Sequence, residues 1–109
     1  MNLKNLAAVS QEGRSIKYIK DPVIEVQIAA VKENGCAIQY IKDPRLEVQL
    51  AAVNQDPYAI EYIKNPFLEV QLEAVKKEWD TVNYIKNPSI EVELAAIDSF
   101  KLAVMMDRS

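Results

Sequence analysis

Six carboxylates recur where they would share one helix face: Glu25, Glu47, Glu69, Glu73, Glu91 and Asp98. Glu25, Glu47, Glu69 and Glu91 are spaced by 22 residues, and Glu73 follows Glu69 by one helical turn. Two acids at i, i+4 have the reach to hold a cation, but on an exposed helix they are ordinarily just solvated. A longer row of acids instead attracts a basic surface. Lysines 20, 42, 64 and 86 keep the same spacing, each followed five residues later by one of these glutamates, so they form no unopposed ridge for phosphates. Tyr18, Tyr40, Tyr62 and Tyr84 make a third ladder, read as a stack between neighbouring units rather than a platform for bases. Catalytic chemistry lacks its usual parts. The chain has no histidine, the commonest general base and metal ligand. Cys36, in "NGCAI", has no base to activate it, and no glycine-rich phosphate loop exists. These residues predict a protein that is not an enzyme and needs no cofactor or metal.

Composition points the same way. A chain of 109 residues, 50% hydrophobic and 27% charged, suits a single domain over 1–109 with a modest core. No apolar run is long enough to span a membrane. The start, "MNLKNLAAVSQEG", lacks the apolar stretch of a signal peptide, and a single cysteine fits a reducing compartment, so a cytoplasmic location is expected. The net charge of −3 argues against nucleic acid as the partner.

The elements that must position these residues are announced by repetition. "YIKDPVIEVQIAAV" returns as "YIKDPRLEVQLAAV", "YIKNPFLEVQLEAV" and "YIKNPSIEVELAAI", with Pro22, Pro44, Pro66 and Pro88 in strict step. The fold class expected is all-α: an α-solenoid of four 22-residue helix pairs with a half repeat at each end. The boundaries are 1–13 for the first half repeat, about 14–35, 36–57, 58–79 and 80–98 for the repeats, and 99–109 for the last half repeat. The longer helix of each pair is expected to be capped by Asp21, Asp43, Asn65 or Asn87, with proline at its first position. Gly13 and Gly35 read as left-handed stops, leaving about eleven to twelve residues, roughly 17 Å of helix. The shorter helix covers "SIKYIK" and its equivalents, closed by the lysines, and in some copies is 3₁₀. In "KKEWDTVNY" no breaker stands before Trp79, so that long helix should run further, with Asp80 capping the next. Ile24, Ile28 and Val31 on one flank, with Val26 and Ala30 on another, require the long helix to be sandwiched between neighbours. Gln27, Gln49 and Gln71 are expected to bond loop backbone. Lys4 takes the place of Val26 in the first half repeat and makes an outward face polar.

The run Asp43, Pro44, Glu47, Val48, Ala52, Val53 resembles the leucine-rich repeat variant, a HEAT-like α-solenoid of alternating long and short helices. The resemblance covers Leu3 to Met106 and recurs four times. It departs in a period shorter by about a residue or two, and in glutamine where an arginine is typical after Glu-Val, with Glu93 in the last copy. Similar repeats occur in bacterial and phage proteins of unassigned function. The resemblance implies a binding scaffold and no particular activity.

Positions that change between copies face either water or a partner. The resemblance puts the long helices on a concave side, where the six carboxylates would meet a basic protein or peptide. Tyr58, Trp79 and Phe67 are large side chains at variable positions, the chemistry of interface anchors. The expected function is a non-catalytic protein-interaction scaffold. The alternative is a phage-type inhibitor whose acidic surface imitates nucleic acid to block a basic enzyme site. A third reading is a self-associating structural protein, a homodimer through Phe100, Leu102, Met105 and Met106.

Overall fold

The computed structural model describes residues 2–107. Within them the chain is all-helical, alternating α-helices with single 3₁₀ helices. The α-helices are α1 (Leu3–Gln11), α2 (Ile24–Glu33), α3 (Leu46–Gln55), α4 (Leu68–Lys77) and α5 (Ile90–Met106). Between them lie η1 (Gly13–Tyr18), η2 (Gly35–Tyr40), η3 (Pro57–Tyr62) and η4 (Trp79–Tyr84). Each α-helix packs on the next α-helix, each 3₁₀ helix on the next 3₁₀ helix, and each 3₁₀ helix on the α-helices before and after it; no contact skips a neighbour among the described residues. The result is a slab of 47 × 32 × 16 Å. No described helix is long and apolar enough to cross a membrane.

The core is the repeat seen edge-on. Val26, Val48, Val70 and Val92 are buried at successive 22-residue steps, as are Ala30, Ala52, Ala74 and Ala96, and Val9, Val31, Val53 and Val75. Ile16, Ile38 and Ile60 fill the matching places from the 3₁₀ row. Each such side chain contributes about 1.5–3 kcal/mol, which ten-residue helices need because they are marginal alone.

The helix starts differ from the sequence reading. The caps are Val23, Arg45, Phe67 and Ser89, one residue after each proline, and all are extended. Asp21, Asp43 and Asn87 have φ of 48°, 47° and 50°, a left-handed turn that Asp and Asn tolerate. Proline thus precedes the cap, and its carbonyl is bonded by a side chain: Gln27, Gln49 and Gln71 donate Nε2–H to Pro22, Pro44 and Pro66 at 2.9, 3.0 and 3.0 Å.

The helix ends differ too. No glycine has positive φ. Gly13 and Gly35 instead open the 3₁₀ helices, buried against the following α-helix; a Cβ on Gly35 would stand 2.5 Å from the Ala52 carbonyl oxygen, and one on Gly13 would clash with that of Ala30. Their N–H groups donate to Glu33 Oε1 at 2.5 Å and to Gln55 Oε1 at 2.6 Å. The next register pairs Pro57, which has no N–H, with Lys77, which has no acceptor. All four short helices are 3₁₀ and end at the tyrosines, so Lys20, Lys42, Lys64 and Lys86 lie in the turns beyond them rather than in their last turn. α4 is no longer than α2, and Asp80 caps nothing: η4 begins at Trp79, after Glu78. Finally, α5 runs unbroken from Ile90 to Met106, where a separate half repeat over 99–109 was expected; Arg108 and Ser109 lie outside the described residues. No Gly, Pro or capping turn interrupts "IDSFKLAVMM", so nothing stops the helix.

Candidate functional site

The first-turn glutamates Glu25, Glu47, Glu69 and Glu91 hold the second position of α2, α3, α4 and α5, and all four are exposed. The positive end of the helix dipole favours a carboxylate there. Glu73 is half-buried, with Oε1 3.9 Å from Lys77 Nζ, and Asp98 is exposed further along α5. Shallow grooves between successive α-helices gather part of this set. Glu47 faces a groove with Lys32, Leu50, Ala51 and Asn54, and Asp98 faces one with Leu72, Lys76 and Leu102. The strip is therefore graded. Its carboxylates dominate at the start of the α-helices, whereas Lys32 and Lys76 stand toward their ends.

The three aromatic candidates occupy separate places. Phe67 lies with Lys42, Tyr62 and Lys64 at a recess of about 450 Å³ between two turns. Its own N–H donates to Gln49 Oε1 at 3.2 Å. Trp79 is 38% exposed and meets Phe100 edge-on, ring centroids 4.8 Å apart. Tyr58 is half-buried; its hydroxyl donates to Asp80 Oδ1 at 2.7 Å and its ring meets Tyr84 edge-on at 6.0 Å. The bond to Asp80, then burial and neighbouring negative charge, push the Tyr58 phenol up to about 12. That makes Tyr58 a brace between η3 and η4. The tyrosine ladder does not stack as a row: Tyr18 is 80% exposed, and Tyr40 is approached by Arg14 Nη2 at 3.4 Å and by Lys17, 5.8 Å from its ring centre.

No family model, curated protein or solved structure matches the chain.

Cys36 sits half-buried in η2. Its thiol donates to Asp56 Oδ2 at 3.6 Å, and burial, followed by the Asp56 charge, raises its pKa. Among the described residues no three Cys, Asp or Glu converge as a metal site. Sequence reasoning missed the caps of the 3₁₀ helices, where Asn34 and Asp56 side chains accept from Cys36 and Tyr58 N–H at 3.0 Å each. The signal was present, as Asn and Asp two residues before the variable turn position, but the longer helices drew the capping argument.

Proposed function

We propose that the chain is a non-catalytic interaction scaffold, a solenoid of four 22-residue units similar to the leucine-rich repeat variants, whose acidic strip receives a basic protein or peptide. The observation that carries this reading is the position shared by Glu25, Glu47, Glu69 and Glu91, exposed at the same turn of four consecutive helices. Among the described residues only Glu73 has a cation within 4 Å, so the strip keeps most of its charge for something outside the chain. Helices packed side by side repeat at about 8–10 Å, so four carboxylates would span roughly 24–30 Å, the reach of an extended basic segment of about eight residues.

The test compares lysate partners retained by the wild type, by Glu47→Lys/Glu69→Lys/Glu73→Lys and by Lys42→Glu/Lys64→Glu. The expected partner is kept by the wild type and by the lysine variant, lost by the glutamate variant, and released progressively by salt. Reversing charge in the first helical turn costs about 0.3–1 kcal/mol per site, and Glu73→Lys also removes the pair with Lys77, so circular dichroism of each variant is the control that the helices survive. A partner lost only with the lysine variant would move the site to the opposite charge and overturn the proposal.

A further inference from the structure

The side of α5 turned away from α4 is open. Ile90, Leu94 and Ile97 stand in the register of Ile24, Ile28 and Val31. Val31, Val53 and Val75 are fully buried by the unit that follows each, yet Ile97 is 48% exposed and Ile90 75%. Because α5 continues to Met106, the stripe extends through Phe100 and Val104. Ile97 and Phe100 also wall, with Trp79, Val82, Ala96 and Glu93, an open and largely apolar recess of about 340 Å³. The exposed apolar side chains Ile90, Leu94, Ile97, Phe100 and Val104 form one continuous stripe along α5, the kind of patch that marks an association surface.

We propose that a second copy of this chain covers this face, the two α5 helices lying antiparallel about a two-fold axis at Ile97. The stripe is self-complementary under that operation. Ile90 falls opposite Val104 of the second copy, Leu94 opposite Phe100, Ile97 opposite itself, and Glu93 opposite Lys101, so the two charges inside the stripe meet as opposite pairs. Glu93 carries a second argument. In its register Gln27, Gln49 and Gln71 donate to a proline carbonyl, and Gln49 also accepts from the next unit. A carboxylate cannot donate, so Glu93 cannot make this bond to the Pro88 carbonyl and its charge is left exposed, where Lys101 of a second copy would meet it. The opposite end of the slab is a poor cover, because Lys4 stands on the outward side of α1 where Val26 stands on α2. Head-to-tail stacking would bury that ammonium, which favours a closed pair over an open chain. The surface is distinct from the acidic strip, and its test is independent of that reading.

The experiment is sedimentation equilibrium of the full chain across concentration, with fluorescence of Trp79, the sole tryptophan, as a local reporter. A dimer is expected, with Trp79 emission shifting to the blue as it forms. Ile97→Glu should give a monomer of unchanged helical circular dichroism. Glu93→Lys and Lys101→Glu each create two like-charge pairs in a symmetric dimer and should raise Kd about tenfold or more. The double swap should return Kd to within about threefold of the wild type. Three outcomes would overturn the proposal: a monomer up to about 1 mM, open-ended growth, or a dimer in which the double swap binds no better than the single ones.

Discussion

Gln49 ties one unit to the next at Phe67. The side chain is 3% exposed, its Nε2–H donates to the Pro44 carbonyl at 3.0 Å, and its Oε1 accepts from the Phe67 N–H at 3.2 Å. Gln49→Leu leaves both backbone groups without partners and should cost about 1–3 kcal/mol in urea denaturation. Gln27→Leu removes one bond from a half-buried site and should cost less, about 0.5–1.5 kcal/mol. Equal losses at the two sites would mean that the link to Phe67 contributes nothing.

Gly35 makes a prediction whose sign decides. Its φ is not positive, and at such positions Gly→Ala ordinarily stabilises by about 0.4–1 kcal/mol through the unfolded state. Here the added methyl would meet the Ala52 carbonyl oxygen at 2.5 Å, so Gly35→Ala should destabilise by about 1–3 kcal/mol. A raised denaturation midpoint would refute the close approach of η2 to α3.

The brace from Tyr58 to Asp80 should appear at alkaline pH. The folded chain holds the phenol protonated up to about 12, against 10 for a free tyrosine. A group whose pKa is raised on folding stabilises fully below its unfolded value and loses that contribution as pH climbs through the folded one. Its share of stability is therefore present below pH 10 and lost between 10 and about 12. Asp80→Ala removes the largest cause, and ¹³C-tyrosine NMR should then find Tyr58 titrating close to 10. An unchanged titration would assign the shift to burial alone.

Much of the architecture was legible because the 22-residue period carries it. Element order, the buried valines and alanines and the first-turn glutamates all follow from positions in the repeat. The local chemistry was less legible, since one residue type serves several purposes. Asp21 and Asp43 suit a cap and also a left-handed turn, and only their positive φ with the extended caps at Val23 and Arg45 shows that the helix starts later. Gly13 and Gly35 suit a left-handed stop and also a close approach, which sequence cannot tell apart. The aromatic candidates were chosen for variability, and variability does not separate Tyr58, tied inward to Asp80, from Phe67, which looks outward.

The pairings of Gly13 with Glu33, Gly35 with Gln55, and the mute register of Pro57 and Lys77 decide where this protein could be cut and spliced. Each couple belongs to a 3₁₀ helix and the α-helix after it, so segments 13–34, 35–56 and 57–78 each carry a matched donor and acceptor or neither. A graft joined at those seams moves a compatible couple intact. One joined between the two helices can set Lys77 against a glycine N–H, leaving a buried donor with nothing to accept it. The transplantable module is therefore short helix first, long helix second, and a duplicated 35–56 is the insert that should lengthen the protein with least strain.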